Sequence, residues 1–125
     1  MSNPVVFQTN LEGLKLINRG KVRDIYDLGD MLLIVTTDRI SCFDSVLPTP
    51  IPYKGSVLTA LSRFWFDLLK DAVKNHVITF DVNRMPEEVR RYAGVLRDRS
   101  MLVRKLRIIP IECVVRGYLS GSAWA

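Results

Sequence analysis

The 125-residue chain has little of what several protein classes require. No apolar run approaches the roughly 20 residues of a membrane-spanning helix. The longest, Met31 to Val35, suits a buried strand instead. The start, Met1-Ser2-Asn3-Pro4, has no basic region followed by a long apolar stretch, so no secretory signal is read there and the cytoplasm is the expected compartment. Two cysteines, Cys42 and Cys113, are too few for a disulfide framework and too far apart for a compact zinc motif. They are expected to be buried, reduced thiols, because free cysteine behaves as a small hydrophobe. The single histidine, His76, cannot build a metal site and is given no catalytic role. There is no internal repeat, no low-complexity segment, no Walker phosphate loop and no dinucleotide fingerprint.

What is present fits one globular domain with a real core: 48% hydrophobic and 25% charged residues in a chain of this length. The net charge of +5 favours anionic partners without saying which. The basic residues are dispersed. Their densest cluster, from Arg84 to Arg107, is broken by acids and apolar residues, and aromatics are not regularly interleaved with it. That pattern argues against a nucleic-acid-binding arm, which wants a solid basic run or a row of stacking platforms.

Residues 12 to 37 read as strands with tight turns at Asn18-Arg19-Gly20, where glycine can take positive φ, and at Asp27-Leu28-Gly29-Asp30. Val22–Asp27 and Met31–Thr37 form an expected antiparallel hairpin. Pro48, Pro50 and Pro52 make residues 44 to 55 a loop ending at Gly55. A helix follows, with Ser56 as N-cap. Its apolar positions Val57, Leu61, Phe64, Leu68 and Ala72, beside Leu58, Trp65 and Leu69, predict an amphipathic helix with its aromatics packed on the sheet. Pro86-Glu87-Glu88 reads as a short helix start that Gly94 could stop. Met101–Ile108 and Ile111–Tyr118 read as two further strands, the second placing Glu112, Val114 and Arg116 on one face. The fold class is therefore α+β: an antiparallel sheet with one main packed helix.

Three constellations carry chemistry. Arg19-Gly20-Lys21-Val22-Arg23-Asp24 offers a glycine turn whose backbone can approach a phosphate, with Lys21 and Arg23 alternating onto one face so that two cations could meet one polyphosphate. A solvated hairpin with scattered charges accounts for the same residues as readily. Thr37-Asp38-Arg39-Ile40-Ser41-Cys42-Phe43-Asp44 sets two carboxylates and an arginine where an apolar strand gives way to a loop, a common place for binding residues. A strand-end salt bridge, with Asp44 capping a turn, is the alternative. Lys54-Gly55 is either a substrate contact or a helix-entry turn. Ile109 to Ser122 places Glu112 and Arg116 in an apolar strand, which is costly unless they are paired or bind something. Arg116, with Ser122 nearby, could hold a phosphate or carboxylate in its planar fork.

Five segments occur in a fixed order: Gly20-Lys21-Val22-Arg23-Asp24-Ile25-Tyr26, Thr37-Asp38-Arg39-Ile40-Ser41, Lys54-Gly55, Arg99-Ser100-Met101-Leu102-Val103, and Pro110-Ile111-Glu112-Cys113-Val114-Val115-Arg116-Gly117-Tyr118. From about residue 15 to the end, the chain resembles the SAICAR synthetase family, the succinocarboxamide synthases of purine biosynthesis. That resemblance implies a ligase that joins carboxyaminoimidazole ribonucleotide to L-aspartate using ATP and Mg²⁺, through an acyl phosphate. It implies an N-terminal sheet like the small lobe of protein kinases.

By the same resemblance, Gly20, Lys21, Val22 and Arg23 would form the phosphate loop, Lys105 a phosphate ligand, and Glu112 and Val114 the segment beside the adenine. Asp38, Arg39, Ser41, Asp44, Lys54, Arg116 and Ser122 would face the substrates. The family's second signature, Asp-x-Lys-x-Glu-Phe-Gly, and its magnesium-binding acids do not occur here. The chain is therefore expected to be an N-terminal ATP-binding subdomain, residues 1–125, cut short and inactive by itself, with the missing C-terminal part as its partner. The residues exclude a protein kinase fragment, since neither Val-Ala-Ile-Lys nor a longer glycine-rich loop is present. A stand-alone nucleotide- or nucleic-acid-binding module, or an inactive remnant, stays open at this point.

Overall fold

A computed structural model describes residues 4–124; the readings made at Met1–Asn3 and at Ala125 lie outside the described residues. Strands β1 (Lys15–Arg19), β2 (Arg23–Asp27) and β3 (Met31–Thr36) form a meander. A two-residue hairpin, β4 (Ser41–Cys42) and β5 (Ser45–Val46), stands apart from the main sheet. Helix α1 (Lys54–Leu68) follows the proline loop. Then come β6 (Val77–Thr79), a 3₁₀ turn at Val82–Arg84, short helices α2 (Glu87–Arg90) and α3 (Ala93–Leu96), and β7 (Ser100–Arg104). The sheet order is β1-β2-β3-β7-β6, antiparallel throughout. This is the expected architecture, with the expected hairpin in register from Arg23 opposite Thr36 to Asp27 opposite Leu32.

Alternation along the strands gives the sheet two unlike faces. Tyr26, Leu33, Val35 and Leu102 turn to one side, where Leu11, Val82, Met85, Val89 and Leu96 close over them as the core. Each such aliphatic side chain contributes about 1.5–3 kcal/mol when fully buried. Arg23, Ile25, Ile34, Thr36 and Met101 turn to the other side, toward α1.

Residues 4–11 form no helix or strand, yet buried charge fixes them. Asp24 is fully buried. Its Oδ2 accepts the Thr9 amide and hydroxyl, both at 2.8 Å, and its Oδ1 faces Arg39 Nη2 at 2.9 Å and Arg19 Nε at 3.1 Å. The Thr9 hydroxyl also lies 2.8 Å from the Tyr26 hydroxyl. Asp38, also fully buried, accepts the Val6 amide on one oxygen and the Gly55 amide on the other, each at 2.8 Å, and lies 3.1 Å from Arg99 Nη1. Arg99 Nη2 reaches the Pro4 carbonyl at 3.2 Å. Burial pushes both carboxyls up, but the amide and arginine hydrogen bonds and the adjacent positive charge outweigh it, so both pKa values are lowered.

Several expectations need correction. Helix α1 begins at Lys54, not after Ser56, and its N-cap residue Tyr53 makes no side-chain cap. The Gly55 amide is satisfied by Asp38, a tertiary partner invisible to a local capping rule. The helix aromatics are not core. Phe64 and Trp65 are 57% and 53% exposed, and within the helix only Gly55 and Thr59 are buried. The first turn abuts Thr36 while the later turns line an apolar groove of roughly 590 Å³. Gly94 sits inside α3 instead of stopping a helix. Gly20 is not among the positive-φ residues, and β1 runs on to Arg19. The strand expected at Met101–Ile108 ends at Arg104, and Ile111–Tyr118 forms no strand. Strand β7 has β3 and β6 on its two sides, so the second segment cannot pair with the strand it follows; it joins neither open edge, β1 or β6, and is exposed. Cys42 and Cys113 are free but exposed, because the small hairpin and that extended segment carry them.

Two outcomes are expected. Because the folded pKa values of Asp24 and Asp38 lie below their unfolded values, their stabilisation is fully present above the unfolded value near 4. It drains as pH falls through the lowered folded values. Acid titration followed by circular dichroism should therefore show stability falling below about pH 4, and Asp38→Asn should cost roughly 3–5 kcal/mol at neutral pH by leaving Arg99 buried without its charge partner. A β-carbon on Gly55 would lie 2.3 Å from the Thr36 carbonyl oxygen. Gly55→Ala should accordingly lower the melting temperature, at a cost of about 1–3 kcal/mol; an unchanged melting temperature would contradict that close approach.

Candidate functional site

The turn between β1 and β2 is three residues long, Gly20-Lys21-Val22, and is closed by the Gly20 amide donating to the Arg23 carbonyl at 2.8 Å. Its carbonyls are drawn to the inner side. Arg39 donates Nη2 to the Gly20 oxygen at 2.8 Å and Nε to the Lys21 oxygen at 3.4 Å, and the Thr37 amide donates to the Val22 oxygen at 2.9 Å. A carbonyl oxygen aimed at a phosphate would repel it. Engaging all three inward leaves the turn's cationic side chains to set the field outside.

A cleft of roughly 370 Å³ opens there, lined by Asn18, Gly20, Lys21, Val22, Arg23, Ile25 and Ser41. It unites the four residues of the expected phosphate loop with Ser41 from the expected substrate loop. Asp44 joins them: Lys21 Nζ forms an ion pair with Asp44 Oδ1 across the mouth of the turn. The hydrogen bond and charge of Lys21 hold the Asp44 carboxyl below its usual value. Arg23 also borders the larger apolar groove beside α1, so it stands where the two cavities meet.

The other expected residues are placed differently. Asp38 and Arg39 are 0% and 3% exposed, with their polar atoms committed to the protein. Arg39 adds Phe7 O at 2.8 Å to its partners. Facing a ligand would break these bonds, so both act here as supports: Arg39 shapes the glycine turn and Asp38 pins the helix start. Lys54, the first residue of α1, is partly buried. Burial lowers its pKa, with the nearby Asp38 charge opposing.

Lys105 does not reach the cleft. It follows β7 and pairs with Asp27 at 2.8 Å, lowering the Asp27 pKa chiefly through that hydrogen bond. Asp27 and Arg23 end the same strand, four residues and about 13 Å apart, so Lys105 and the glycine turn occupy opposite ends of the sheet. Glu112 and Val114 are exposed on the extended segment and do not line the cleft. Arg116 and Ser122 do meet, Nη2 to Oγ at 3.0 Å, around a 3₁₀ turn at Gly121–Ala123 whose glycine has a φ of 59°. They lie on that exposed segment and do not line the cleft.

Sequence reasoning assigned no role to Asn18 and Ile25, which line the cleft wall, although Ile25 lies within the quoted glycine motif and Asn18 just before it. It gave no role to Arg99, which a quoted motif contained, and Thr9 carried no local signal at all. Among the described residues, no group of three or more His, Cys, Asp or Glu could hold a metal ion. No helix among the described residues is long and apolar enough to cross a membrane.

The profile of the SAICAR synthetase family matches residues 16–125. A phosphoribosylaminoimidazole-succinocarboxamide synthase of Desulfosudis oleivorans is 62% identical over 120 residues, which are 96% of this chain and 41% of that protein. The synthase of the same name from Syntrophobacter fumaroxidans is 58% identical over 123 residues, 98% of this chain and again 41% of that one. Among solved structures, the SAICAR synthase of Saccharomyces cerevisiae complexed with SAICAR superposes with a TM-score of 0.86 at 44% identity, over 95% of this chain and 43% of that one. The chain thus spans about two-fifths of the length of the curated relatives it matches. With the profile matched from β1 to the last residue and an experimentally solved fold reproduced over nearly the whole chain, this protein belongs to the SAICAR synthetase family.

Proposed function

We propose that this chain is the N-terminal ATP-binding part of a ligase of purine biosynthesis that acts in the cytoplasm. In the complete protein, the γ-phosphoryl group of ATP passes to a carboxylate oxygen of carboxyaminoimidazole ribonucleotide, and ADP leaves. The amine of L-aspartate then forms a bond to the acyl carbon, the acyl–oxygen bond breaks, phosphate departs and the nitrogen loses a proton. The product is the succinocarboxamide. Phosphorylation converts a poor leaving group into a good one, and such transfer asks the protein mainly for positioning and charge neutralisation.

The observation that carries this reading is the cleft at Gly20–Arg23 in a chain of this family. Lys21 and Arg23 supply positive charge, Arg39 and Thr37 keep the turn's carbonyls turned inward, and Ser41 brings a hydroxyl to the same cleft from the loop after β3. These features suit a triphosphate. The Arg116–Ser122 pair suits an anionic group of the ribonucleotide or the aspartate, presented on the exposed segment after β7. Mg²⁺ bound with ATP would neutralise phosphate charge, and the acids that would hold it are proposed to lie in the C-terminal part. The C-terminal length that the relatives possess is the partner that would close over the cleft and the groove beside α1, holding both substrates at reactive distance.

In a protein carrying that additional length, Lys21→Ala should weaken ATP binding about 10- to 100-fold, the range for loss of a charge-assisted hydrogen bond, in a calorimetric titration. Arg116→Ala should raise KM for the ribonucleotide or aspartate while leaving KM for ATP unchanged. The 125-residue chain assayed alone should form no succinocarboxamide. Unaltered ATP affinity in the Lys21 variant would remove the glycine turn from the phosphate site.

A further inference from the structure

The glycine turn and the β4–β5 hairpin are joined by a side-chain interaction, the ion pair of Lys21 with Asp44. Both partners are open to water, so the pair itself is weak and exchangeable. Besides that pair, the hairpin that carries Asp44 is held by its own short ladder and by the Leu47 amide donating to the Ile40 carbonyl at 2.8 Å. Its strands are two residues each and belong to no larger sheet, and such ribbons are marginal by themselves.

The tip of this hairpin is also an uncomfortable conformation. Phe43 and Asp44 sit at φ of 47° and 66°, in the left-handed region where a two-residue hairpin turn favours Asn or Gly. A bulky aromatic there is a true outlier. Phe43 moreover stands 99% exposed, packing against nothing, on the element that reaches Lys21. Exposure, backbone strain and a minimal ladder together describe an element of low local stability, retained near a ligand cleft.

We propose that the Lys21–Asp44 pair is a latch opened by phosphate. A polyphosphate entering the cleft takes the Lys21 ammonium, displaces the Asp44 carboxylate, and frees the Phe43–Asp44 tip to move. Both anions compete for one cation, so they cannot hold it fully at the same time. Occupancy of the phosphate cleft is thereby coupled to the position of the hairpin, and through Ser41 to the loop that also lines the cleft. The coupling is reciprocal: whatever draws Asp44 away from Lys21 favours phosphate binding by the same factor. This inference rests on the phosphate-loop reading above, and adds to it a gate between the nucleotide and the substrate loop.

The test uses the chain as it stands, inorganic triphosphate as probe, and four proteins: the parent, Asp44→Asn, Lys21→Ala and the double variant. Amide hydrogen exchange at Cys42 to Val46 reports the hairpin, and calorimetric titration reports binding. In the parent, saturating triphosphate should speed exchange in the hairpin. Asp44→Asn should show that faster exchange without ligand and should bind triphosphate about two- to fivefold more tightly, the reach of a solvent-exposed ion pair. In the Lys21→Ala background, Asp44→Asn should add nothing measurable, which separates a latch from the mere loss of a negative charge. An equal gain in both backgrounds, or binding with unchanged hairpin exchange, would overturn the latch and leave the phosphate loop standing. Absence of triphosphate binding in all four proteins would overturn the phosphate-loop reading and the latch with it.

Discussion

Two aspartate–arginine pairs, Asp24 with Arg39 and Asp38 with Arg99, are withdrawn from water together, and the rest of the molecule is arranged around satisfying them. Neither pair is a simple two-body contact. Asp24 binds the Thr9 amide and hydroxyl as well as two arginines. Asp38 binds the amides of Val6 and Gly55 as well as Arg99. A buried pair costs desolvation that only this kind of complete hydrogen bonding offsets. The consequence is positional: four stretches distant in sequence, the irregular N-terminal segment, the glycine turn, the start of α1 and the start of β7, are tied to one spot at the end of the sheet.

That arrangement explains why the glycine turn presents the surface it does. A three-residue turn between strands could point its carbonyls anywhere. Arg39 reaches from the following loop and binds two of them, while Thr37 binds the third. The turn is thereby held from behind, and Lys21 and Arg23 remain at the cleft. The cationic character of the cleft is thus built by an arginine that does not itself line it. Opposite, α1 is anchored by its first turn on Thr36 and Asp38, so its apolar side flanks a groove instead of sinking into the core.

The meander was readable because alternation and short glycine-containing turns are local signals. Val22–Asp27 and Met31–Thr37 needed no distant information. The five ordered motifs made the family legible for a similar reason: they are contiguous. What escaped was set by tertiary context. The apolar stripe from Val57 to Leu68 has the period of a core helix, and periodicity does not say whether a neighbour fills the groove it faces. Ile111–Tyr118 has strand composition, but β7, the strand it follows, is flanked on both sides, and composition does not say whether a chain reaches an open edge at β1 or β6. Asp38 and Arg39 look like ligand contacts in a loop motif; only the folded chain shows their polar atoms already engaged, by Val6, Gly55 and Arg99 and by Phe7, Gly20 and Asp24. Lys105 shares the cationic chemistry of Lys21, yet sheet geometry puts it at the opposite end.

The proposed function requires a triphosphate to settle at the Gly20–Arg23 cleft. The most direct measurement is an amide-resolved NMR titration of the chain with a non-hydrolysable ATP analogue. Saturable shifts that are largest at Gly20, Lys21, Val22 and Arg23, with Ser41 and Asp44 following, are the predicted result. Shifts concentrated elsewhere on the chain, with the glycine turn silent, would contradict it.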